Sequence, residues 1–243
     1  MSDPDQEVII KPGVGMFKVQ ASERVILLPA GPSARILAAR FLAQRKSIRP
    51  YPSRLFRLKR QGVEIDLVGP AMGAPVAAMA LEQLVAGGAK KIVMIGFAGS
   101  IDPALTIGDL ILVKEAISDE GTSRNYFPEQ NPPLASSALL SEAASELGLR
   151  GEKIQTCAVA TTDGFFRETR EKLARFREQG ALAVEMELSA LYTIAKYRQV
   201  ELLGMMVISD ELVGKDWKAG FKSPRILISL MHAGEIALAV LSK

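Results

Sequence analysis

Glu185 and Glu187 flank Met186 within "ALAVEMELSALYTIA" (181–195), where an apolar run passes into a helix-like pattern. A buried ionised carboxylate is costly unless something pairs with it, so two of them in such a place call for a partner. Asp210 follows Ser209 in "VISDEL", at the end of the last strongly apolar run. A carboxyl group leaving such a run is partly desolvated, and desolvation favours the protonated form that a general acid uses. Plainer roles fit the same residues. Ser209 and Asp210 suit a helix N-cap, and Glu187 suits the positive end of the helix dipole it begins.

Three further places offer ligand contacts. In "PAGPSAR" Gly31 follows a strand and Arg35 falls in the first turn of the next helix. Free N–H groups and a guanidinium then converge where an anion would sit, although a tight turn explains the glycine equally. In "MIGFAGSIDPALTIGDL" the small residues Gly96, Ala98 and Gly99 make a close-approach wall for a flat ligand, or serve only a turn. In "VATTDGFFRETRE" Phe165 either stacks on a heterocycle or belongs to the core.

The elements that must position these residues follow an α/β pattern, short β-branched runs alternating with segments of helical period. Strands are predicted at 24–30, 63–69, 91–97, 109–117, 154–160, 181–186 and 202–209, and seven fit in one mixed sheet. Helices are predicted at about 33–44, 75–87, 136–147, 167–179, 187–198 and 223–241, several opening after Gly, Ser or Pro and stopping at Gly. Residues 1–22 read as an N-terminal extension of a single domain spanning 1–243, and the Pro-rich 125–137 as the longest irregular segment, its second half at the surface.

A formal charge of +3 permits an anionic partner without requiring one. Residues 24–63 hold ten Lys or Arg and no acidic residue, yet lack the interleaved aromatics of a base-stacking platform. They read as solvated helix and turn positions, some facing a neighbouring subunit, and nucleic acid is not expected. One cysteine, Cys157, makes no internal disulfide and points to the cytoplasm. No basic leader precedes an apolar run, and no run is read as a membrane span. Neither a metal nor an organic cofactor is expected: His and Cys do not cluster, and "GFAGSI" lacks dinucleotide spacing.

Taken in order, "GPSAR", "GPAMGAP", "GFAGSIDPALTIGDLIL", "DEGTSRNY", "TTDGFF", "AVEME" and "VISDEL" resemble the nucleoside phosphorylase family, which includes purine nucleoside phosphorylase, uridine phosphorylase and the adenosylhomocysteine nucleosidases. The resemblance spans roughly residues 24–240. It implies a three-layer α/β/α fold with a central mixed, partly barrel-like sheet, and subunits associated as dimers or hexamers. It implies that Glu187 accepts hydrogen bonds from the ribose hydroxyls, with Glu185 and Met186 beside the sugar, and that a carboxylate there favours the cation growing on the ribosyl ring. Asp210, next to Ser209, donates a proton to purine N7, Phe165 stacks on the base, and Ala98 and Gly99 line it. Gly31, Arg35 and a neighbour's Arg54 hold phosphate. Uridine-specific members carry a Gln and an Arg where Thr169 and Glu171 stand here, which favours a purine.

The chain also departs from the family. Met94 and Phe97 occupy the positions where phosphorylases place an arginine and a Ser or Thr for phosphate, and one lost charged donor costs on the order of 1.5–3 kcal/mol. The hydrolytic members carry a glutamate near Arg35, absent here. His232, the only histidine, lies on the C-terminal helix, so the 5′ pocket is expected to be apolar. Phosphorolysis of a purine nucleoside is the leading expectation, with a phosphate-independent nucleosidase and a non-catalytic nucleoside-binding protein as alternatives.

Overall fold

The sheet gathers every β-branched run of the sequence and three strands besides. The structure, a computed structural model, describes residues 8–127 and 133–243. In chain order the elements are β1 (Arg24–Leu27), α1 (Ser33–Arg40), β2 (Gln44–Lys46), β3 (Arg54–Arg60), β4 (Val63–Gly69), α2 (Ala74–Ala86), β5 (Lys91–Ser100), β6 (Leu110–Asp119), α3 (Ser137–Leu149), β7 (Gln155–Thr162), α4 (Arg170–Glu178), β8 (Ala181–Glu185), α5 (Leu188–Arg198), β9 (Glu201–Glu211), β10 (Lys218–Ala219) and α6 (Pro224–Leu241). The strands form one mixed sheet in the order β10-β9-β6-β7-β8-β5-β1-β4-β3-β2, and a further pairing of β9 with β5 closes β5, β9, β6, β7 and β8 into a barrel. β4, β1, β5 and β9 pair parallel to one another in that order, whereas β5–β8 and β6–β9 are antiparallel.

β5 shows why the sequence folds this way. Ile92, Met94 and Ala98 face a core shared with α2 and α5, while Val93 and Ile95 face a second core built with α1, α3 and α6. A strand covered on both faces needs an unbroken apolar run rather than alternation, which is what "KIVMIGF" supplies. The two helical layers make the fold three-layered. Leu173 and Phe176 of α4 pack over the end of β8 in a smaller cluster with Val184.

The sequence expectation of seven strands is corrected by β2, β3 and β10. "RLFRLKR" carries so many cations that it reads as surface, yet two of its four charges face partners. Arg57 pairs with the fully buried Asp66 at 2.6 Å, and Arg60 and Arg40 both reach Glu235. Much of the basic stretch is thus an edge hairpin, not helix and turn. β5 and β9 also run on to Ser100 and Glu211, because each supplies the other's ladder partners there. The helix predicted from 167 starts at Arg170, behind a short 3-10 turn over Phe165–Arg167. α6 is long and apolar enough to cross a membrane by length and composition, with mean hydropathy 1.5, contrary to expectation; half of it is buried against the sheet, as in a core helix. Residues 1–7 of the predicted extension and 128–132 of the Pro-rich segment lie outside the described residues.

Candidate active site

Because β1, β4, β5 and β9 are parallel, their carboxyl ends share one edge of the sheet, the edge where ligands bind in α/β proteins. Gly99 near the end of β5 is the meeting point. It pairs with Val184 of β8 on one side and with Asp210 of β9 on the other. Two strand spacings put the backbones carrying "VEME" and Asp210 roughly 10 Å apart.

Glu185 and Glu187, alike in sequence, have different surroundings. Glu185 accepts hydrogen bonds from the Thr161 hydroxyl and from the backbone N–H groups of Glu187 and Leu188, both at 2.8 Å. Its acceptors satisfy the first turn of α5, so this residue, expected beside the sugar, caps a helix from inside. Glu187 accepts from the Gly73 N–H at 2.6 Å. Gly73 sits at φ +84°, a conformation glycine adopts without strain, and so presents its N–H across the gap between α2 and α5. Burial pushes both carboxyls well above the usual range, and the charge of Glu185 pushes Glu187 further, against the Gly73 N–H. Met186 is half-buried between them.

Asp210 owes its direction to a bulge. Ala98 pairs with Ile208 but Gly99 pairs with Asp210, so Ser209 is an extra residue in β9. The Ser209 hydroxyl donates to Asp210 Oδ1 at 2.7 Å and lies 3.3 Å from the Ala98 carbonyl. Ser209 and Ala98, expected to touch substrate, are both buried and are used to hold the acid. A side chain on Gly99 would collide with Leu212 and come within 3.0 Å of Asp210 Oδ2, so the glycine keeps space for the carboxyl group. Asp210 Oδ2 accepts from the Trp217 indole N–H at 2.7 Å. Phe165 stands nearby in its 3-10 turn, 38% exposed, with its ring edge-on to Trp217 at 6.4 Å.

The anion side is sparser. Gly31 lies in an exposed turn after β1, Arg35 is exposed on α1, and Arg54 is half-buried beside Gly69 of β4, neither arginine having an ion pair among the described residues. Met94 is fully buried beside Leu27, and Phe97 packs among Ile107, Val207 and Ile226. β5 therefore offers an anion no side-chain donor at these positions.

Three residues of this edge escaped the sequence reading: Gly73, Trp217 and Glu168. Trp217 is the only tryptophan of the chain, seven residues past Asp210, and that rarity was the available signal. Glu168 is half-buried; burial and the charge of Asp210 raise it to about 7, with Lys172 opposing.

Residues 23–241 match the profile of the phosphorylase superfamily. Among curated relatives, the DeoD-type purine nucleoside phosphorylase of Streptococcus uberis is 34% identical over 194 residues, covering 77% of this chain and 81% of that protein. The one from Streptococcus pneumoniae is 32% identical over 198 residues, covering 79% and 83%. In structure, purine nucleoside phosphorylase of Toxoplasma gondii in complex with immucillin-H superposes with TM-score 0.83 at 20% identity, covering 92% and 91% of the two chains. Uridine phosphorylase of Vibrio fischeri ES114 does so with 0.78 at 23%, covering 97% and 98%. With a profile spanning nearly its whole length and relatives above 30% identity, the chain belongs to the phosphorylase superfamily.

Proposed function

We propose that the chain is a pentosyltransferase that cleaves the N-glycosidic bond of purine nucleosides with inorganic phosphate, giving free base and pentose 1-phosphate. The observation that carries this is Asp210, turned onto the Gly99 face beside Phe165 and on the same sheet edge as the buried Glu187. The DeoD-type relatives, named as purine nucleoside phosphorylases, support the base and the nucleophile. A phosphate oxygen bonds to C1′ as the bond from C1′ to N9 breaks. The bonding pair passes into the purine, whose N7 takes the proton of Asp210. The ribose hydroxyls and the positive charge spreading over the ribosyl ring offset the burial that raises Glu187, so that it acts there as a carboxylate, accepting from the hydroxyls and stabilising that charge. Gly31, Arg35 and Arg54 receive the phosphate, and neither a metal nor an organic cofactor enters this reading.

Exposed Ile48, Tyr51, Met72 and Met79 lie on or beside α2 and the segment before β3, which Gln83 ties together through Tyr51. In this reading that apolar face joins copies of the chain into a dimer or hexamer and brings a neighbour's Arg54 to the site. The work is done in the cytoplasm, as the lone buried cysteine suggests.

Incubation with inosine, adenosine and methylthioadenosine, with and without phosphate, tests the reaction: pentose 1-phosphate is the expected product. Base release indifferent to phosphate, with free pentose formed, overturns it in favour of hydrolysis. The apolar packing of Met94 and Phe97 is what speaks for that second reading.

A further inference from the structure

Both oxygens of Asp210 are already engaged. Oδ1 accepts from Ser209, within the same strand and fully buried, whereas Oδ2 accepts from Trp217 at the end of an exposed run over 213–219. The two donors differ in permanence. Ser209 is locked by the bulge. Trp217 is 54% exposed, and its run is attached to the body by its indole, the short β10 ladder, the exposed Lys218–Glu211 ion pair and Arg170 reaching the Lys215 carbonyl. The indole is flanked edge-on by Phe165 at 6.4 Å and by Phe221 at 6.1 Å, and Phe166 beyond is 93% exposed. Four aromatic side chains left this open beside one polar atom make an apolar slot of the kind that takes a flat heterocycle.

We infer that Trp217 is a positioning residue for Asp210: its N–H holds Oδ2 while the site is empty, leaves when a purine base arrives at that oxygen, and the freed ring becomes a wall of the base pocket facing Phe165. This rests on the reading of Asp210 as the acid. The empty site thus keeps Oδ2 engaged and the carboxyl group fixed between two donors, and the base takes over that oxygen as it binds. The groups facing Asp210 are Ser209 and Gly99 from the barrel, Trp217 from the exposed run, and Glu168 from the segment after the 3-10 turn. Lys172 of α4 offsets Glu168 and is itself paired with Asp119 of β6 at 2.5 Å. Glu211 points elsewhere, to Ile107 N–H and Lys218.

Because Trp217 is the only tryptophan, the intact enzyme reports on it without labels. Its emission is measured on titration with hypoxanthine, in wild type and in Asp210→Asn. In wild type, base binding is expected to shift and quench the emission; in Asp210→Asn the emission starts from a different value without base. Trp217→Phe keeps an aromatic wall and removes the N–H. Hypoxanthine, followed by calorimetry, is expected to bind it about fivefold tighter than wild type, because no donor has to leave Oδ2 first. Trp217→Ala should raise KM about tenfold through the lost wall. Emission unmoved by base, or a Trp217→Phe enzyme that binds hypoxanthine as wild type does, overturns the inference. If Asp210→Asn is inactive in that case, the reading of Asp210 as acid survives alone; if Asp210→Asn turns over normally, both fall.

Discussion

The sugar side and the base side of the proposed site are built in opposite ways. Around Glu185 and Glu187 the carboxyls are buried and bonded by a hydroxyl and three backbone N–H groups drawn from β7, α5 and the turn before α2. Around Asp210 one firm donor comes from within the strand, and the remaining surroundings are exposed aromatic rings and a surface run. The contrast separates what the fold completes by itself from what it leaves for a ligand to complete. A developing cation needs a fixed counter-charge, while a base that must enter and depart needs a wall that yields.

The largest effect that tests this contrast is on the base side. Asp210→Asn is expected to lower kcat for purine nucleosides by about 10²–10⁴-fold, the usual worth of a positioned acid, with little change in thermal stability. Normal turnover would remove the base side from the chemistry. On the sugar side the expected effect is on folding. Glu185→Ala strands two buried N–H groups and the Thr161 hydroxyl and should cost about 2–5 kcal/mol, seen as a fall in denaturant midpoint. A small loss would mean that this region is not the prefabricated one.

Phe165→Ala follows, with KM for the nucleoside raised by about tenfold and melting temperature almost unchanged, as suits a half-exposed ring. The subtlest concerns pH. The carboxyl of Glu187 is raised in the folded chain, so its stabilising contribution is full below the ordinary carboxylate range and is lost as pH rises through about 8. In Glu187→Gln that titration is gone. Its melting temperature should therefore decline less than wild type between about pH 5 and 8, by a few degrees; parallel declines would show that burial of Glu187 costs the fold nothing.

How much of this was readable beforehand differs between the same two regions. The barrel strands were legible because burial on both faces demands apolar runs, as in "KIVMIGF". β3 was not, because its Arg57 is matched by Asp66 only once the hairpin has formed. Asp210 was found as a polar residue closing an apolar strand. Nothing local distinguishes Glu185 from Glu187, since which of them turns inward is decided by Thr161 on another strand and Gly73 before another helix. Trp217 was missed for the same reason: its partner is fixed by the path on which the chain returns, and no spacing rule encodes that path.

The extra residue at Ser209 has a consequence for how this chemistry can be lost. Were Ser209 paired as an ordinary strand residue, period-two alternation would place Asp210 on the face of Ala98 and Ile208, among the aliphatic side chains under α2 and α5. A slip of one residue in the pairing after Ile208 would leave a protein that still closes its barrel and carries every residue of the proposed site, yet is mute. In descendants of this sequence, activity would be written in the register of two strands as firmly as in the identities of their residues.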